Sequence, residues 1–303
     1  VALASDGGIV VGGSTQGEGL PVSSNVFQTR FAGVTDAFVA RFTPGGDLDW
    51  LTYAGGSLHD FGSAVAVDGS GRIALTVRTY SHDFPTTAGG FRSGWAVSPT
   101  DVTEGAVVLL ESTGRVVWST YIGGTDNDYI NNLAFDRAGN VYTGGSTVSL
   151  DLPTTPGSLQ SKKTPGAQLD AWLARFAADG SLQWCTYYGG SGLDAMTTIA
   201  AAPNGHLYAT GYTRSSDLLR GTISLQPELR GGSDAFVVEF DAQGRLLWDS
   251  FLGGGYEDYG TGITGDGSGS VYISGYTRSP DFPTRNPFQP NLDTTSGSSD
   301  EYW

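Results

Sequence analysis

The chain has 303 residues, 46 of them glycine, with 31 acidic against 16 basic side chains and a net charge of −15. That charge repels phosphate backbones and anionic headgroups, which argues against nucleic acid and membrane surfaces as partners. No apolar run approaches the roughly 18 residues of a membrane-spanning helix, and a single cysteine, Cys185, excludes an intrachain disulfide.

A pattern is already under way at residue 1. Residues 1–3 read as the end of one strand (c) and residues 8–15 as the next (d), followed by Leu20-Pro21 and Phe27-Gln28. A full copy then begins with strand a at Asp36–Phe42, where Phe38 and Phe42 share a face by the two-residue period of an extended chain. A turn at Gly46 leads into strand b, which carries Trp50 in the phrase Trp-x-x-Tyr-x-Gly-Gly. Strand c is expected at 63–67, an Asp-Gly-Ser-Gly turn at 68–71, and strand d at 72–79. After it comes Asp83-Phe-Pro-Thr-Thr87 and the apolar–polar pair Phe91-Arg92. The proline is expected to end strand d, and the later apolar residue to tuck the connection back down.

The second copy repeats this order with strand a at 105–110, Trp118, strand c at 131–135, strand d at 140–147, Asp151 and Leu159-Gln160. The third has Asp170–Phe176, Trp184, strand d at 206–213, Asp217 and Leu225-Gln226. The fourth has Asp234–Phe240, Trp248, strand d at 270–277, Asp281 and Phe288-Gln289, and residues 300–303 begin a further strand a. The tryptophans are 68, 66 and 64 residues apart, a period of about 65 that marks a repeat architecture. Strand d is apolar on both faces, as in Val271, Tyr272 and Ile273, so each sheet is expected to be covered on both sides.

The expected fold is all-β, a β-propeller of four-stranded antiparallel blades. One domain spans 1–303, with repeats at 36–103, 104–169, 170–233 and 234–299 and partial copies at 1–35 and 300–303. The given ends would close five blades with one incomplete, and a longer parent with six to eight blades is an equal expectation. Length differences between copies concentrate at 93–103, 161–169 and 227–233, the rim segments expected to carry specificity.

Three acidic ladders recur: Asp36, Glu104, Asp170, Asp234 and Asp300; Asp60, Asp128, Asp194 and Asp258; Asp83, Asp151, Asp217 and Asp281. A catalytic pair needs two carboxylates in one asymmetric pocket, and repetition in every copy argues against that. Each carboxylate is expected instead to accept backbone N–H groups at a turn. Calcium is the rival reading, with Asp126, Asp128, Glu257 and Asp258 as its candidate ligands, although neither stretch has the spacing of a twelve-residue calcium loop. The glycine pairs lack the Lys-Ser/Thr of a phosphate loop. His59 and His82 fall in one copy in different loops, Cys185 reads as a buried structural thiol, and the tryptophans read as packing residues before sugar platforms.

The string Asp-Ala-Phe-Val-x-x-Phe, Gly-x-Leu-x-Trp-x-x-Phe-x-Gly-Gly, Asp-Tyr-Gly, Val-Tyr-x-x-Gly-Tyr-Thr and Asp-Phe-Pro-Thr at 234–284 resembles the bacterial SBBP β-propeller repeat. Arg78 departs from it in strand d, the copy at 104–155 lacks the phenylalanines of strand a, and the copy at 170–218 lacks the proline. The resemblance implies a secreted or cell-surface bacterial protein, often a module of a larger chain, with no defined enzymatic activity and no catalytic residues. The expected function is a non-catalytic scaffold or binding module whose rim loops meet a protein or glycan. A glycan-active enzyme using the central funnel and a self-assembling surface-layer or filament subunit, binding copies of itself, are the alternatives.

Overall fold

The computed structural model describes residues 1–96, 102–218, 220–266 and 268–289, and the expected start of a strand at 300–303 lies outside them. The described residues form five antiparallel sheets and no helix. The first sheet runs β1 (Ala2–Leu3), β2 (Ile9–Thr15), β3 (Asp36–Phe42), β4 (Leu48–Ala54). The second runs β5 (Asp60–Val67), β6 (Ile73–Thr79), β7 (Glu104–Leu110), β8 (Val116–Ile122). The third is β9 (Asp128–Phe135), β10 (Val141–Thr147), β11 (Asp170–Phe176), β12 (Leu182–Tyr188). The fourth is β13 (Asp194–Ala201), β14 (Leu207–Thr213), β15 (Asp234–Phe240), β16 (Leu246–Leu252), and the fifth pairs β17 (Asp258–Gly265) with β18 (Val271–Thr277).

The fold is the expected β-propeller architecture, with one correction to its phase. A blade is not one sequence copy running a to d. It is strands c and d of one copy with a and b of the next, so the repeats at 36–103, 104–169, 170–233 and 234–299 each straddle two sheets. The partial copy at 1–35 therefore completes a blade with β3 and β4 rather than with the far end of the chain. Periodicity cannot fix this phase, because any window of one period repeats equally well. The link after strand b, Gly55-Gly56, carries the chain from the outer strand of one sheet to the inner strand of the next, while the longer connection after strand d returns to its own sheet.

Strand c also starts earlier than its apolar pattern suggests, at Asp60 rather than residue 63. A bulge follows Gly62 and puts Ser63 out of register, with matching bulges at Asn131, Thr197 and Thr261. One extra residue reverses the in–out alternation, which hides the first half of the strand from a period-two reading. The bulged c strands are the inner strands: β5 lies against β9, β9 against β13 and β13 against β17.

Cores form between sheets. β6, β10 and β14 are almost wholly buried on both faces, as the apolar pattern of strand d predicts, whereas β18 of the last described sheet is not: Val271 and Ile273 are only partly buried and Tyr272 is exposed, because no described sheet packs on its far side. Trp50 donates its indole N–H to Ser112 O of the next sheet at 2.8 Å, Trp118 to Ala178 O at 3.1 Å and Trp184 to Ala242 O at 3.1 Å. Each ring lies on the hairpin glycine of that next sheet. At Gly114 the φ is +81°, and a Cβ would stand 2.9 Å from Trp50, so conformation and space both demand glycine. The packing reading of these tryptophans holds.

Candidate binding face

The long connections, the Gly-Gly links and the starts of strands a and c lie together on one face, opposite the tight hairpin turns. The carboxylate ladders organise this face, and each does so as a hydrogen-bond acceptor.

Asp60, Asp128, Asp194 and Asp258 head the inner strands and are wholly buried. The amide N–H groups of Gly56, Gly124, Gly190 and Gly254 donate to them at 2.7, 2.6, 2.7 and 2.8 Å. The hydroxyls of Ser81, Ser149, Ser215 and Ser279 donate to the same oxygens at 2.8, 3.0, 2.8 and 2.8 Å. Burial pushes the carboxyls of Asp60 and Asp128 up to about 6, against the pull of these bonds. The serines, each two residues beyond the last threonine of strand d, were not singled out by the sequence reading. Their recurrence in all four copies at the repeat period was the available signal.

Asp36 and Asp234 clamp the returning connection. Asp36 accepts from Ala32 N at 2.9 Å, Gly33 N at 3.2 Å and Gln28 Nε2 at 3.2 Å. Asp234 accepts from Arg230 N at 3.0 Å, Gly231 N at 3.0 Å and Gln226 Nε2 at 2.9 Å. Gln28 and Gln226 also accept from Gly55 N and Gly253 N, at 2.9 and 3.1 Å, which joins connection, link and strand. In the second sheet this glutamine is Arg92 and the aspartate is Glu104, and the two form a buried ion pair. The longer carboxylate arm and the cation change together. The third ladder ties link to connection: Asp83, Asp151, Asp217 and Asp281 accept from Ser57, Thr125, Ser191 and Gly255 N at 2.8, 2.9, 2.8 and 2.8 Å.

The connections then run along the outer strand of their own sheet. Tyr53 N donates to Gln28 O, Tyr121 N to Arg92 O, Tyr187 N to Gln160 O and Phe251 N to Gln226 O, all at 3.0 or 3.1 Å. This covers an edge that would otherwise invite another strand. The tuck predicted for the apolar residue is met in part: Phe91 meets the Phe176 ring of the next sheet at 6.4 Å and Phe27 and Leu159 pack against buried clusters, whereas Leu225 and Phe288 stay exposed. Tyr121 holds the second connection by accepting from Phe84 N at 2.9 Å and donating to Ser81 O at 2.7 Å, and Tyr187 does the same for the third.

The calcium candidates do not converge. Asp128 and Asp258 each give Oδ2 to the bonds above, Thr147 donates to Asp128 Oδ1 at 2.5 Å, Asp126 accepts from Asn127 N at 2.7 Å, and Glu257 pairs with Arg278 at 2.7 Å. Among the described residues no three metal-ligating side chains cluster. His59 stacks on Phe61 and His82 on Trp95, so the two histidines serve different neighbours. Cys185 is buried and its thiol is pushed up by burial.

What the ladders leave exposed differs from copy to copy. Val34 (52% exposed), Leu58 (39%), Leu150 (73%) and Tyr256 (62%) all stand on this face. Of the expected specificity segments, 161–169 is anchored by Thr164 N on Asp170 at 3.0 Å and by buried Lys163 on Ala167 O, and 227–233 by Asp234. Residues 97–101 of the segment 93–103 lie outside the described residues.

Residues 117–153, from strand b through β9 and β10 to the first proline after Asp151, match the family model described as the SBBP β-propeller repeat. These residues carry an SBBP repeat. The same phrase recurs from Trp50, Trp184 and Trp248. A regulatory protein FlaEY of Caulobacter vibrioides is 29% identical over 46% of the chain and 14% of its own length. An uncharacterized WD repeat-containing protein of Acanthamoeba polyphaga mimivirus is 23% identical over 72% of the chain and 17% of its own length. The chain thus spans less than a fifth of either relative. Among solved structures, a Bacteroides caccae protein of unknown function has a TM-score of 0.41 at 10% identity, covering 80% of this chain and 68% of its own. A gluconolactonase of Xanthomonas campestris has a TM-score of 0.34 at 16% identity, covering 79% and 65%.

Proposed function

We propose that this SBBP-repeat chain is a non-catalytic binding module that works outside the cell, through the face of long connections, on a protein or glycan partner. The observation that carries the reading is a division of labour among residues. Each repeated carboxylate is tied to the loops by internal hydrogen bonds, while the exposed apolar residues Val34, Leu58, Leu150 and Tyr256 are not repeated in kind. A surface rigid beneath and variable above is the usual arrangement for recognition. The extracellular setting rests on the family resemblance.

The test exchanges segments 161–169 and 227–233 for each other and measures retention on arrays of glycans and surface proteins. Loss of retention by the swapped chain, with no product released by the parent, is the expected result. Unchanged retention removes these segments from the interface, and turnover of a retained glycan replaces a binder with an enzyme.

A further inference from the structure

One charged residue breaks the repeat without serving any ladder. The penultimate position of the second strand of each sheet holds Ser14, Arg78, Ser146, Tyr212 and Tyr276, so the second sheet alone places a cation there. Arg78 faces Phe61 across the β5–β6 pair. Its guanidinium carbon lies 5.1 Å from the Phe61 ring centre and 5.9 Å from that of Tyr129 on the inner strand of the third sheet. His59 stacks on the same Phe61 at 5.7 Å with planes 5° apart, and Tyr80 meets His59 and Phe61 edge-on at 6.2 and 6.5 Å.

Arg78 has no salt bridge among the described residues, although the chain carries 31 acidic side chains, and its Nε is buried without a hydrogen-bond partner. A guanidinium held between rings keeps its planar fork of donors in fixed orientation, and leaving those donors unpaired is costly. Two residues along the same inner strands from Phe61 and Tyr129 come the bulged residues Ser63 and Asn131, both exposed and neutral, and Asn131 donates its Nδ2 to Met196 O at 2.8 Å.

We propose that Arg78, with Phe61, Tyr129, His59 and Tyr80 around it, binds the carboxylate of an acidic sugar residue in a glycan. The fork takes a carboxylate through two parallel N–H···O bonds, and the rings receive the C–H faces of a pyranose. The Ser63 hydroxyl and Asn131 Oδ1 supply hydrogen bonds to its hydroxyls. An acidic peptide would satisfy the fork and leave the rings unused, so the aromatic surround favours the sugar. The proposal rests on the reading of the chain as a binding module and names the ligand class of one part of that face.

The experiment titrates the full chain by calorimetry with a panel of uronic-acid oligosaccharides, neutral cello-oligosaccharides of equal length and oligoglutamate. A uronic-acid oligosaccharide should bind, weaken at least tenfold in Arg78→Leu, hold an intermediate affinity in Arg78→Lys, and weaken with added salt. Tyr129→Ala should reduce the same affinity with Arg78 in place, and circular dichroism verifies that each variant is folded. Binding unchanged by Arg78→Leu, neutral sugar bound as tightly as acidic, tighter binding of oligoglutamate, or no binding by the uronic panel overturns the proposal. The variant with exchanged segments 161–169 and 227–233 should retain uronic-acid binding, so failure of the segment reading and failure of the Arg78 site are seen separately.

Discussion

Replacing Trp118 by alanine tests whether the repeated indoles hold neighbouring sheets together. Trp118 is 1% exposed, and its N–H donates to Ala178 O across the gap between the second and third sheets. Removing a buried tryptophan costs about 3–5 kcal/mol, and the stranded carbonyl adds about 1 kcal/mol. Trp248 occupies the same place in the motif but is only half-buried, on the wall of a 470 Å³ hollow with Leu252, Val271 and Ile273. Scaled by burial, Trp248→Ala should cost about half as much, leaving a gap of about 2 kcal/mol, near thirtyfold in the unfolding equilibrium. Urea unfolding followed by far-ultraviolet circular dichroism reads both variants without relying on tryptophan emission. Equal losses would refute the account, because they would show that the indole acts within its own sheet and not on the next.

Burial raises the carboxyls of Asp60, Asp128 and Asp170 to about 6, and those of Asp36, Asp194 and Asp234 above their ordinary value. Between about pH 6 and 4 the folded chain therefore binds more protons than the unfolded chain, and stability should rise as pH falls through that window. A urea midpoint that climbs from pH 5 to pH 8 would contradict this. Arg92→Gln alone should destabilise by about 2 kcal/mol or more by stranding buried Glu104. The double variant Arg92→Gln, Glu104→Asp rebuilds the pairing of Gln28 with Asp36 and should recover most of that loss in a double-mutant cycle. Tyr121→Phe should cost about 1 kcal/mol, since it removes both hydroxyl bonds and leaves Phe84 N and Ser81 O only their long 3.3 Å bond to each other, and the thermal midpoint reads the loss.

The repeat in the sequence was enough to specify strands, hairpin turns and the role of the carboxylates as acceptors. Each of these depends on local chemistry: alternation along a strand, glycine at positive φ in a hairpin, an aspartate oxygen near a loop amide. The tryptophans were also legible, since a large ring kept at one strand position in four copies signals a shared packing partner.

Tertiary structure alone decided how the strands are grouped and what Arg78 meets. The phase of a blade depends on which connection crosses between sheets, and loop length misleads here, because the short Gly-Gly link crosses while the long connection returns. The bulges at Ser63, Asn131, Thr197 and Thr261 hid half of each inner strand for a related reason: they are set by pairing with a neighbour, not by residue pattern. Arg78 and Tyr129 are far apart in the chain and come together because β6 packs on β9, so a departure that looked like a weakened repeat becomes a cation framed by rings only when the sheets stack.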